Sequence, residues 1–433
     1  MKKAIINARI YDYETYIERG YVVFDTTVLA VGSMNEFTDD VEDVIDGDGM
    51  LVLPGFVLGH THIYSTFARG LALPFNPKDF QDILNQLWWK IDRQLDNDTT
   101  YHSAVVYATD ALKNGITTII DHHASGREIE GSLEALRRGV VDKVGLRGAF
   151  CFETSDRFDV EACIRENRAF LDREHNGKTA AHFGLHASMS LSETTLKRVA
   201  SSLDHDPIHI HVAESELDQE LAEKQAQTRV VERLDRHGLL HKDALIVHGL
   251  FLDNHELDIL KKRDVTVALN VGSNMNNAVG LPRYQELKNR NIPIIVGNDG
   301  LSTSVTNEYL TLMQTMHLKE GTPLALGLDD VHTLIETAYD YASRRFKVKL
   351  GKIKPGYEAD LIAVPYDPPT PMDAHNALGH LVYGLFASMK AHTAFVGGRM
   401  VLHHYRVPWN EKRAFNDARN AAQTLWNRIT KEG

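Results

Sequence analysis

The sequence predicts an α/β fold: a TIM-type (β/α)8 barrel with a small β-sandwich domain formed from both chain ends. Three observations lead there. Between residues 55 and 350, eight short apolar runs alternate with longer, charged segments of helical texture. Both ends of the chain carry short alternating strands punctuated by Gly and Asp. Polar residues able to do chemistry collect at the ends of the apolar runs, the rim where parallel barrels build their active sites.

Residues 1–54 (KKAIINARIYD, YVVFDTTVLAVG, DVIDGDGMLVLPG) supply the N-terminal part of the sandwich. The barrel, 55–350, follows with LPGFVLGHTH, GITTIIDHHA, GLRGAFCFE, TAAHFGLHASM, DPIHIHVAE, ALIVHGLFL, VTVALNVGSN and IPIIVGNDG. Parallel neighbours need right-handed crossovers, and the intervening segments are long enough to supply them. One, LDQELAEKQAQTRVVERLDRHG, places acids before bases at helical spacing and predicts a helix. Residues 351–405 return to strand texture in ADLIAVPYDPP and HTAFVGGRMVLHH, the C-terminal part of the sandwich. The last segment, 406–433, predicts an amphipathic helix that packs rather than reacts.

A net charge of -12 offers no basic footprint for nucleic acid or an anionic lipid surface. No apolar run reaches membrane-spanning length, and the start MKKAIINARIYDYE lacks the apolar core of a signal peptide. Cys151 and Cys163 form no disulfide framework and suit a reducing compartment, so the expected location is the cytoplasm. The expected partner is a small-molecule substrate, with no nucleic acid, no membrane, and homo-oligomerisation left open.

The chemistry begins at GFVLGHTHIY. Alternation along a strand turns His60 and His62 to one face, where both can reach one ion; taken alone, such a pair is more often a strand-end pair bonded to backbone or water. PIHIHVAE repeats the pattern, with His211 nearer the rim as a third ligand and His209 as a buried histidine satisfied lower in the barrel. Glu214 follows, either a helix N-terminal acid or a proton shuttle beside a metal-activated water. His248 stands alone in ALIVHGLFL, where a satisfied core histidine is the plain alternative, and Asp299 in IPIIVGNDG is a turn acid by the same standard. Four such residues on one rim make coincidence the weaker explanation.

The motifs HTH, HVAE, VHG and NDG, after the first, fifth, sixth and eighth strands, resemble the amidohydrolase superfamily in its mononuclear-metal aminohydrolase branch. LWWKIDRQLD, DHHAS, CFETSDR, SNMNNAVG and PGYEADL further resemble the SsnA-type aminohydrolases associated with selenium metabolism. The resemblance implies one divalent metal ion, Zn or Fe, on His60, His62, His211 and Asp299, with Glu214, His248 and Asp299 acting in catalysis. Binuclear relatives carry a metal-bridging lysine at the end of the fourth strand; here that strand ends in His186, and Lys178 precedes it, which favours a single ion. Where many deaminases show His-Asn-Pro-x-Ser-Asn, this chain has Leu269-Asn270-Val-Gly-Ser-Asn274, so the substrate pocket transfers less well than the metal site.

The implied activity is hydrolysis of a non-peptide carbon–nitrogen bond, deaminating a small nitrogen heterocycle with metal-activated hydroxide. Expected substrate contacts are Tyr64, Arg69, Trp88, Trp89, His122, His123, Glu153, His186, Asn274 and Asn276, each with a structural alternative. The competing readings are a hydrolase of the same fold acting on a cyclic amide or another leaving group, and a non-catalytic metal-binding accessory protein in selenium- or molybdenum-linked metabolism. A proton relay beside the metal argues against the second, since a pure binder has no use for one.

Overall fold

β-Branched residues crowd the apolar runs of the barrel segment, as in ITTII, LIVH and IIV, and such side chains pack well on a pleated surface. In the computed structural model, which describes all residues except 39, 174, 175 and 433, these runs become parallel strands. They are Phe56–Thr61, Ile116–His123, Arg147–Phe152, Thr179–Ala181 continued by Phe183–Ala187, Ile208–Val212, Leu245–His248, Thr266–Leu269 and Ile294–Val296. The strands form two hydrogen-bonded arcs. Parallel bridges join the arcs, Thr154 with Leu185 on one side and Thr61 with Asp299 on the other, to make the ring of a TIM barrel. At the second seam the first and eighth strands approach so closely that a Cβ on Gly59 would lie 2.8 Å from the Val296 carbonyl oxygen, a place only glycine fits.

Two segments depart from the sequence reading. The fourth run, TAAHFGLHASM, is two strand pieces interrupted at His182, and the seam between the arcs falls there. The long stretch LDQELAEKQAQTRVVERLDRHG is two helices, Glu216–Ala226 and Val230–Arg236. Gln227 between them takes a left-handed conformation, φ 52°, and ends the first helix there.

Strands from both chain ends hydrogen-bond into one eight-stranded sheet. Leu51–Pro54 pairs with Leu361–Val364, Leu53 opposite Ile362, so the two termini of the barrel segment leave and return through adjacent strands. Phe24 and Phe395 belong to strands four places apart in this sheet, about 19 Å if it were flat. Their rings touch edge to face at 5.0 Å, so the sheet curls over on itself as a sandwich around a second core that includes Ile5, Val22, Val52 and Leu361. Buried Arg147 on the third barrel strand ties this sheet to the barrel. Its guanidinium donates to both carboxylate oxygens of Asp360 at 2.7 and 2.8 Å and to Glu358 at 2.6 Å.

The C-terminal helix, Glu411–Glu432, buries Ala418, Ala421, Leu425 and Ile429 against Tyr64, Phe67, Ile91 and Leu95, beside the first ligand pair. Its Trp426 indole donates to the Phe67 carbonyl at 2.7 Å. Both cysteines are buried and unpaired. Among the described residues, no helix is long and apolar enough to cross a membrane.

Candidate metal and catalytic centre

Strand ends place the candidate ligands. His60 and His62 stand at the end of the first strand, His211 near the end of the fifth, and Asp299 just past the eighth. One donor atom from each of the four lies within 4.8 Å of those of the other three. The imidazoles are oriented from behind. His62 Nδ1 donates to the His122 carbonyl at 2.7 Å and His211 Nδ1 to the His186 carbonyl at 2.8 Å. His60 Nδ1 is engaged by His209 Nε2 at 2.8 Å. A carbonyl accepts only, so the first two contacts fix the tautomers and turn both Nε2 lone pairs inward. This is the arrangement of metal-bound histidines, whose other ring nitrogen is held by a carbonyl or similar group.

The inward atoms have no protein solution of their own. Nε2 of His62 and Nε2 of His211, both acceptors, lie 3.1 Å apart, and buried His60 Nε2 has no hydrogen-bond partner. Asp299 Oδ1 lies 3.0 Å from His62 Nε2 and 3.5 Å from His60 Nε2. Three imidazole nitrogens and one carboxylate converging in this way suit a divalent ion such as zinc or iron. Burial lowers His60 to about 4 and His211 well below its ordinary value, which keeps both neutral as ligation requires. Burial works the same way on His62, but the Asp299 carboxylate overrides it and carries that imidazole up to about 9, so its Nε2 holds a proton against Asp299 that ligation would release before the nitrogen acts as an acceptor. Asp299 is in turn supported by Ser273, whose hydroxyl donates to Oδ2 at 2.5 Å, and by Asn270, which accepts from its backbone N–H.

His248 is turned the opposite way. The Asn274 amide donates to its Nδ1 at 2.8 Å, which leaves Nε2 as the protonated nitrogen; that atom is buried, unpartnered, and 3.5 Å from Glu214 Oε2. His248 therefore presents a donor where His62 and His211, as ligands, present acceptors. His248 and Asp299 are both non-glycine residues at positive φ, 71° and 54°, a conformation that strand ends tolerate chiefly at functional sites. Burial, reinforced by the Asp299 charge, pushes Glu214 well above the usual carboxylate range, so it stands as a neutral acid.

A cleft opens over this cluster. Of the expected substrate contacts, Tyr64, Trp88, Trp89, Glu153 and His186 line it. The others lie elsewhere. Arg69 pairs with Asp110 at 3.4 Å under the C-terminal helix. His122 is buried behind the cluster, donating through Nε2 to the Leu185 and His209 carbonyls, and His123 is buried beside Thr100. Asn274 is occupied with His248, and exposed Asn276 donates to Asn277, which is the residue that reaches the cleft. Asp92 and Ser215 also line it and escaped the sequence reading, although Asp92 stands three residues after the Trp88–Trp89 pair and Ser215 directly follows Glu214. His209, read as a satisfied core residue, proves to be the hydrogen-bond partner of His60.

A parallel barrel whose rim gathers three histidines, one aspartate, a neutral glutamic acid and a donor histidine defines a metal-dependent hydrolase. The chain belongs to the amidohydrolase family, whose model matches residues 51–401, and it is a hydrolase of carbon–nitrogen bonds. It is 26% identical over 416 residues to a 5′-deoxyadenosine deaminase of Methanosphaera stadtmanae, covering 93% of this chain and 94% of that protein. Its fold matches a zinc-bound adenosine deaminase from Xanthomonas campestris with a TM-score of 0.83 at 18% identity, covering 98% of both chains. An atrazine chlorohydrolase from Arthrobacter aurescens, also solved with zinc, matches with a TM-score of 0.81 at 19% identity, over 97% of this chain and 100% of that one.

Proposed function

We propose that the protein deaminates an amino-substituted nitrogen heterocycle, with one divalent ion, zinc or iron, held by His60, His62, His211 and Asp299. The observation that carries this reading is the opposed orientation of the imidazoles: acceptor nitrogens of His62 and His211 face a common point with Asp299, while His248 faces the same space with a donor. When bound, such an ion acts as a Lewis acid and lowers the pKa of water from about 15.7 towards neutrality.

The chain's own groups then move the protons. Asp299 takes the proton released as water attacks the amino-bearing carbon. Glu214, kept protonated by burial, gives its proton to the adjacent ring nitrogen. The His248 Nε2–H holds the developing oxyanion by hydrogen bonding. As the carbon–nitrogen bond breaks, the proton on Asp299 leaves with the amine as ammonia, and the remaining proton of the added water restores Glu214. The ring keeps its new oxygen and an N–H. Trp88 and Trp89, on the cleft wall, suit a flat aromatic ring.

The relatives that act on 5′-deoxyadenosine and adenosine support this reading and put purine nucleosides first among test compounds. Reduced, buried Cys151 and Cys163 support a cytoplasmic setting. The test is ammonia release from metal-replete protein with amino-substituted purines, pyrimidines, pterins and triazines, using Asp299→Asn as the blank. Release from at least one compound, absent in the blank, is the expected result. A product of altered mass without ammonia replaces deamination with loss of another leaving group. The same preparation, analysed for metal content, decides between zinc and iron.

A further inference from the structure

One wall of the cleft carries more acceptors than its own donors satisfy. Behind that wall stands the guanidinium of Arg157, committed to neighbouring side chains. It donates through Nε to Ser155, through Nη1 to Asp92 at 2.9 Å and through Nη2 to Glu153, and its plane lies over the rings of Trp89 and Phe158. Among the described residues, no lysine or arginine lines the cleft itself.

Asp92 and Glu153 thus share one cation. Asp92, only 2% exposed, keeps a buried Oδ1 with no partner. His122 spends its N–H on the Leu185 and His209 carbonyls, so its unpartnered Nδ1 is an acceptor; it lies 3.5 Å from Oε2 of Glu153, which burial raises to about 8 against the pull of Arg157. Buried acceptors left in this state are costly unless something bearing donors completes them. The indole N–H of Trp89, three residues before Asp92, is also buried and unpartnered, a donor that suits an acceptor nitrogen on the ring.

Resting on the deaminase reading, we propose that this wall is a subsite for a positively charged hydrogen-bond donor, a protonated amine on the substituent of the substrate's heterocycle, and that it rejects substituents ending in carboxylate or phosphate. The ammonium is received by Asp92 Oδ1 and Glu153, while the ring stays against the tryptophans. An anionic substituent meets the unpartnered oxygen of Asp92 and finds Arg157 already committed.

Binding separates this subsite from turnover. Zinc-loaded Glu214→Gln protein is titrated calorimetrically at pH 7 with 5′-amino-5′-deoxyadenosine, 5′-deoxyadenosine and adenosine 5′-carboxylate. The expected order is amine tightest and carboxylate weakest, the two separated by at least about tenfold. Adding Asp92→Asn shrinks the ratio between the amine and 5′-deoxyadenosine; should that variant fail to fold, the affinity order in the unaltered cleft decides the matter. Equal affinities, tighter binding of the carboxylate, or no binding of any of the three overturns the subsite. The expected order, with no ammonia from wild-type enzyme on any of them, sinks the deaminase reading and leaves the subsite standing.

Discussion

His209 never reaches the cleft, yet it stands behind His60 with its other ring nitrogen 3.5 Å from the Cys151 sulfur. Outer partners of this kind orient ligands, and their loss typically weakens metal affinity by about 10–100-fold. His209→Asn should show that loss in competition against a chelator, and an unchanged affinity would return His209 to plain packing. Glu214→Gln should behave oppositely, binding metal as wild type does while ammonia release falls by at least about 100-fold. Full turnover in that variant would remove Glu214 from the reaction. At this scale the candidate ligands were legible because alternation along a strand is a local rule: HTH and HIH announce a shared face from spacing alone. Asp92, Asn277 and Ser273 were not, because each matters only through neighbours far away in sequence, as Ser273 does by its bond to Asp299. The direction of His248 was also hidden, since it depends on which atom Asn274 turns towards it.

Elements were legible where one period dominated a segment and ambiguous where backbone conformation intervened. The eight strands followed from apolar runs, whereas the helix break at Gln227 came from a left-handed residue that carries no compositional warning. Arg147 shows how elements are joined across the molecule. Its guanidinium is 1% exposed and spans from the third barrel strand to Asp360 and Glu358 in the terminal sheet. Removing one partner of such a buried pair leaves the other charge stranded, at about 3–5 kcal/mol. Arg147→Ala should lower the denaturant midpoint accordingly, and a loss below about 1 kcal/mol would show that Asp360 is adequately served by water and the Gly397 amide, its other donor.

Several buried acids each contribute stability that is lost as pH rises, the opposite sense to buried histidines such as His60 and His211. Burial raises Glu308 from 4.5 to about 7, with Asp121 raised to about 7 and Asp218 to about 6 by the same cause. For Glu308, both folded and unfolded chains hold the proton below about pH 4.5, and the contribution to stability is complete there. Between about 4.5 and 7 the unfolded chain gives up a proton that the folded one keeps, so folding weakens as pH rises, by roughly 3 kcal/mol in total. Glu308→Gln removes this term. Relative to wild type, its unfolding free energy should therefore rise by about 2–3 kcal/mol between pH 5 and pH 8, and a constant difference would place an ionised, adequately solvated carboxylate at that site.

The pairing of Leu51–Pro54 with Leu361–Val364 also sets a timetable for synthesis. Pro54 and Leu361 are partners in the sheet, yet about 300 residues separate them along the chain. At a ribosomal rate of about 5–20 residues per second, the first strands wait roughly 15–60 s for their neighbours. During that interval the Leu51–Pro54 edge is open to any other nascent strand. The completed enzyme shields that edge, and the growing polypeptide must rely on chaperones, or on speed, to reach it.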